Sequence, residues 1–136
     1  MNEGRRLAFH GMLLFLLGLL MGTVVRSVAN PRIGLSAHTG TLINAGFLIA
    51  LAAVWSHVVL SPMLRAAAYW LTLVGSYLSC IALFFAGVLG TISATPLHGA
   101  GHTGTPLEEF LVGTGLAAGG VAILAAAAIL VYGLRG

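Results

Sequence analysis

Charge is what this chain most lacks. Lysine and aspartate are absent, and six arginines with three glutamates leave only 7% of the 136 residues charged, where soluble domains carry about 25%. With 59% hydrophobic residues and a mean hydropathy of +1.04, most of the surface cannot face water. The chain reads as an integral membrane protein. Its net charge of +3 is not a nucleic-acid footprint, because the arginines stand singly near the ends of apolar segments, where they set topology. Cysteine is nearly missing as well. Cys80 has no second thiol to pair with, so it reports nothing about redox compartment and reads as a small buried hydrophobe.

What the chain does have is four long apolar runs. A spanning helix needs about 20 predominantly apolar residues, and segments at about 5–28, 36–60, 64–91 and 107–134 qualify. Asn30-Pro31 and Ser61-Pro62 read as stops that end the first and second spans, and the stretch TPLHGAGHTGTP precedes the fourth. Arg5 and Arg6 followed by an apolar run invite a signal-peptide reading. The run from Leu7 to Val25 exceeds the ~7–15 residues of a signal core, however, and Arg26 interrupts the approach to Ser27-Val28-Ala29. A retained helix is expected there. The fold class is therefore all-α: one four-helix transmembrane bundle over residues 1–136, with no room for a separate soluble domain.

Arginine counting puts both termini in the cytoplasm. Arg5, Arg6, Arg65 and Arg135 then lie inside, and Arg26 and Arg32 outside, with Glu108 and Glu109 at the outer mouth of the fourth span. Gly18/Gly22 and Gly115/Gly119 are GxxxG pairs, and Ala118, Ala122 and Ala126 extend the second of these faces. Small faces let backbones approach closely in lipid. Packing within the chain is the weightier reading over a dedicated oligomer interface.

In this topology His10 and His57 fall toward the cytoplasmic side, and His38, His98 and His102 toward the outer side. His98 and His102, at i and i+4 in HGAGH, would share a helical face, but two intervening glycines argue against a helix. A three-histidine outer site with His38 therefore weighs less than a solvated loop. His57 beside Trp55 looks like an interfacial anchor pair, and His10 stays open between a packing role and a ligand. In SAHTGTLINAGFLIAL, His38 stands at the mouth of the second span, with Asn44 about 9 Å deeper at the ~1.5 Å rise of a helix. Polar groups at such depth face a bundle interior or a site by default. The small neighbours Ala37 and Gly40 would admit a flat group, and histidine is a common axial haem ligand. Spacing alone still favours a histidine hydrogen-bonded within the bundle.

Two stretches carry a family resemblance. HGMLLFLLGLL in the first span and AHTGTLINAGFLI in the second resemble styrene oxide isomerases, small four-span bacterial membrane enzymes. The histidine, the glycine two later and the asparagine six later stand in the family's positions, and the glycine-rich outer loop also matches. The first loop is shorter here and the C-terminal tail almost absent.

The resemblance implies a b-type haem with ferric iron, held by His38, in a homotrimer with haem near subunit boundaries in the bacterial inner (cell) membrane. It implies a redox-neutral Meinwald rearrangement of a small hydrophobic aryl epoxide such as styrene oxide to an aldehyde, with Asn44 orienting the epoxide. An intervening turn of about 240° over six residues makes it hard for Asn44 to reach the opposite face of a ring held by His38 of its own chain, so a neighbouring subunit more plausibly lines that side. The family also has an assisting tyrosine in the third span. Folding the hairpin about Met63 sets Asn44 level with Ala82, where Leu83, Phe84 and Phe85 offer no hydroxyl. Tyr77 is the nearest candidate catalytic group, offset toward the cytoplasm, and Phe84 and Phe85 are candidates for an aromatic wall. Absence of such a hydroxyl would leave room for a different substrate or reaction. Two other classes stand beside the isomerase: a haem-carrying electron-transfer subunit with His10 or His57 as a further ligand, and a haem-free bundle binding a small molecule.

Overall fold

The structure is a computed structural model that describes residues 2–135; Met1 and Gly136 lie outside the described residues. Five helices follow in order: α1 (Glu3–Val24), α2 (Pro31–Val54), α3 (Pro62–Leu89), the single turn α4 (Pro96–Gly99) and α5 (Pro106–Gly133). No strand occurs among the described residues. α1, α2, α3 and α5 are each long and apolar enough to cross a membrane, which makes this a multi-pass membrane protein.

The prolines explain where the helices begin. Pro31, Pro62, Pro96 and Pro106 all occupy first-turn positions, where a missing N–H leaves no intrahelical bond unmade. Asn30 caps α2, its side chain accepting from the Arg32 and Ile33 amides at 3.0 and 3.3 Å. Ser61 caps α3, and Thr105 with Glu108 forms a capping box at α5. Asn30-Pro31 and Ser61-Pro62 are thus starts of the next helix, rather than stops of the one before. α2 accordingly begins five residues earlier than expected, and the preceding helices end sooner, at Val24 and Val54, each followed by a short 3-10 turn. α3 stops at Gly90, whose φ of +69° suits a residue without Cβ.

Packing follows an open row rather than a closed ring. α1 lies on α2, α2 on α3 and α3 on α5; α1 barely touches α3, and α5 meets neither α1 nor α2 among the described residues. Glycines set the close approaches. A Cβ on Gly18 would stand 2.8 Å from Leu42 Cδ2, and one on Gly87 would stand 2.9 Å from the Gly34 nitrogen. Gly115 and Gly119 receive Ala82 and Ser79 of α3 in the same way. Both GxxxG faces are therefore used within the chain.

Both chain ends share one end of the row with the α2–α3 link. Trp55 Nε1 and Arg65 Nε donate to Glu3 Oε2 at 2.9 and 2.7 Å, and the Val59 amide donates to the Gly133 carbonyl at 2.9 Å. Trp55 is only 3% exposed, and the Arg65 guanidinium lies 5.0 Å from its ring centre. The expected Trp55–His57 anchor pair does not form, because Trp55 is held inward by Glu3 while His57 stays exposed. At the opposite end, Glu109 fastens the connection before α5 by accepting from the amides of Ile92, Ser93 and Gly104.

Candidate functional site

His38 lies seven residues into α2, half-buried in the seam with α1. Its Nδ1 is 2.7 Å from the Gly18 carbonyl oxygen, so the ring donates there and carries its proton on Nδ1. Nε2 then holds the free lone pair, and it makes no hydrogen bond among the described residues. This is the state in which an imidazole binds a metal, with the second nitrogen fixed on a carbonyl. Gly22 completes the seat, since a Cβ there would come within 2.9 Å of the His38 ring. The residues present therefore fit a haem held through Nε2.

Asn44 sits about one and two-thirds turns on, half-buried on a different side of α2. Its Nδ2 donates to the Gly40 carbonyl at 3.1 Å, and the Cys80 thiol of α3 approaches both Asn44 and Thr41. The Gly40 bond leaves one amide hydrogen and the Oδ1 acceptor of Asn44, with the Cys80 thiol beside them. A Cβ on Gly40 would meet only Leu83 Cδ2, at 3.6 Å. Across the α2–α3 seam, then, Leu83 faces Gly40 and Cys80 faces Asn44, a register two residues away from the expected Asn44–Ala82 level. The longer link at residues 55–61, a 3-10 turn followed by extended chain, accounts for that offset. No hydroxyl of α3 reaches Asn44 at this level.

Tyr77 belongs elsewhere. Its hydroxyl is 3.0 Å from His10 Nδ1, and the two rings meet edge-on, centroids 5.7 Å apart at 87°. They line a groove of about 610 Å³ between α1 and α3. Nothing in the sequence announced this pair, because its members are 67 positions apart and only packing joins them. Phe84 and Phe85 form an edge-to-face pair with centroids 6.1 Å apart, and Phe85 lines an apolar groove between α3 and α5.

The outer histidines do not gather. His102 Nε2 donates to the Ala29 carbonyl at 3.0 Å, while His98 offers its own carbonyl to Asn30 Nδ2 at 2.8 Å. No three histidine, cysteine, aspartate or glutamate side chains come together as a metal site among the described residues. His98 and His102 pin the loop instead, and Gly101, at φ +88°, breaks the helical course between them.

The likeness to known proteins extends over nearly the whole chain. The styrene oxide isomerase family model matches residues 3–135. The chain belongs to that family. Hydroxylaminobenzene mutase HabB of Ectopseudomonas oleovorans is 38% identical over 132 residues, covering 96% of this chain and 80% of the relative. Hydroxylaminobenzene mutase HabA of the same organism is 32% identical over 103 residues, covering 75% of this chain and 76% of the relative. No solved structure matches. Styrene oxide isomerase and mutase are both names for enzymes that rearrange one molecule, and this protein is an isomerase.

Proposed function

We propose that the protein is a haem b-dependent isomerase of the bacterial inner membrane that rearranges a small aryl compound carrying a labile bond to oxygen. The observation that carries this reading is the His38 imidazole, fixed at Nδ1 by Gly18 and unpaired at Nε2, in a chain of this family. Bound at His38, a ferric haem would supply an electron-poor iron able to polarise the substrate's oxygen. Substrate and product of an isomerisation have the same composition, so neither oxidant nor reductant is consumed.

The chain's own residues have three tasks in this scheme. His38 holds the cofactor in one tautomer and one orientation. Asn44 orients the substrate's polar oxygen with the amide hydrogen and Oδ1 that Gly40 leaves unused. The apolar side chains beside it, Leu83 and the fully buried Ala45 and Leu48, keep water from trapping a cationic centre. Because His38 faces α1 and Asn44 faces α3, we assign them to opposite sides of a subunit boundary, in a homotrimer whose neighbouring copies complete each site.

An arylhydroxylamine is the first proposed substrate, supported by similarity to two hydroxylaminobenzene mutases and by a thiol, Cys80, rather than a hydroxyl facing Asn44 from α3. Such a rearrangement breaks the N–O bond and forms a ring C–O bond, while the proton lost from that ring carbon is made good by one gained at nitrogen, so the composition is unchanged. The family description favours a second substrate, an aryl epoxide opened to an aldehyde. Purified protein is incubated without an electron donor with hydroxylaminobenzene and, separately, with styrene oxide. An isomer of unchanged mass from either substrate, together with a Soret band, supports the proposal. A haem that must cycle between redox states for any turnover marks an electron carrier instead, and a colourless active protein removes the haem.

A further inference from the structure

We propose that the groove between α1 and α3 is a second binding site, separate from the His38 seam, for a small neutral aryl alcohol or amine, held by the Tyr77–His10 pair. This goes beyond the function proposed above and does not depend on haem. His10 is eight residues before Gly18, about 12 Å along α1 at ~1.5 Å per residue, and it points to α3 while Gly11 and Gly18 face α2. The groove and the His38 seam are thus on different sides of α1.

The shape suits one ring. A volume of about 610 Å³ falls within the ~300–1,000 Å³ of small-molecule sites. Phe9 and Trp70 line it from α1 and α3 with more than half of each side chain exposed, and Leu73 and Val74 complete an apolar wall. Aromatic walls favour edge or offset stacking of a flat ligand. The polar groups along the wall are the pair itself, the Tyr69 hydroxyl and the Trp70 indole N–H, with Arg6 at the end nearer the N-terminus of α1.

The pair also selects the ligand's polar end. The bond between Tyr77 and His10 uses Nδ1, leaving His10 Nε2 and a Tyr77 oxygen lone pair without partners among the described residues. Facing hydrocarbon, an unsatisfied polar atom is costly. A lipid acyl chain in the groove would leave both atoms unsatisfied. A second copy of the chain would bring mainly apolar groups, because exposed positions at span depth include Met12, Leu16, Ile43 and Leu124. A neutral hydroxyl or amino group on an aryl ring can donate to one member and accept from the other, whichever tautomer His10 adopts.

The test uses the whole protein in nanodiscs and the photoreactive probe 4-azidobenzyl alcohol, with adducts mapped by mass spectrometry. Saturable adducts on the α1 and α3 peptides around Phe9 and Trp70, displaced by benzyl alcohol, are expected. Tyr77→Phe should raise the probe concentration for half-labelling by about five- to tenfold, the worth of one hydrogen bond. Val74→Trp, which fills the groove from an exposed position, should abolish labelling. His38→Ala should leave it unchanged, so failure of the haem reading and failure of this one are separable. Non-saturable adducts spread over all exposed faces, or labelling indifferent to Tyr77→Phe and Val74→Trp, would overturn the site. Protection of the groove by contact with a second copy, seen as cross-links from Trp70 to another chain, would overturn it too.

Discussion

His38 Nδ1 lies 2.7 Å from the carbonyl oxygen of Gly18, joining α2 to α1 across 20 positions. The bond fixes which nitrogen of the ring can bind metal, and it gives the histidine a structural role apart from that. Two consequences can be separated by experiment. His38→Ala should lose the Soret band while the protein still inserts, since one hydrogen bond in a membrane protein averages only about 0.6 kcal/mol. His10→Ala should keep haem, because His10 pairs with Tyr77 in another groove. Haem retained without His38, or lost only without His10, would refute the assignment.

Gly22 offers a subtler test of the same seat. A methyl at this position comes within 2.9 Å of the His38 ring, so the imidazole must move or α1 must slide. Gly22→Ala should lower haem occupancy severalfold and shift the Soret maximum, with α-helical circular dichroism unchanged. Gly46→Ala is the control, since a Cβ there meets nothing within 4 Å. Equal spectra for both variants would mean that Gly22 does not shape the site.

Topology follows from charge and can be read with reporters. The ends of the chain and the α2–α3 link share one end of the row, tied by Glu3, Trp55 and Arg65. The arginine distribution predicts that this end is cytoplasmic. Fusions after Arg135 and near Pro62 should report cytoplasm, and one in the 95–105 loop the outside. The reverse pattern would invert the proposed orientation of every site.

Length and apolar composition made the four spans legible, because lipid imposes both. Their edges were less so. A helix stop and a helix start both use proline, and only the cap formed by Asn30 tells which side of Pro31 is helical. That ambiguity carried into the hairpin register and misplaced Asn44 against α3 by two residues. His38 and Asn44 could be singled out through their spacing and the family likeness. The pairing of His10 with Tyr77 could not, since it depends on how α1 and α3 lean on α2, and nothing local in either helix encodes that. Trp55 shows a related limit. A tryptophan near a helix end suggests an interfacial anchor, yet a carboxylate 52 positions away draws it inward.

Asn44 gives the sharpest prediction about catalysis. If it positions the substrate's oxygen, Asn44→Ala should keep haem and its spectrum while turnover of the aryl substrate falls roughly 10²–10³-fold, the scale seen when one donor to a developing oxyanion is removed. A merely structural asparagine would show the opposite pattern, lower thermal stability with activity per haem nearly intact. The placement of His38 and Asn44 on different sides of α2 extends the test. When each residue serves a haem shared between copies, co-expressed His38→Ala and Asn44→Ala chains should regain measurable activity, because some boundaries pair an intact His38 with an intact Asn44. Such recovery requires mixed oligomers, which differently tagged chains and sequential affinity purification can isolate. No activity in isolated mixed oligomers would assign both residues to a single chain's site, and the helix geometry would then need Asn44 to swing away from Gly40 toward the His38 side.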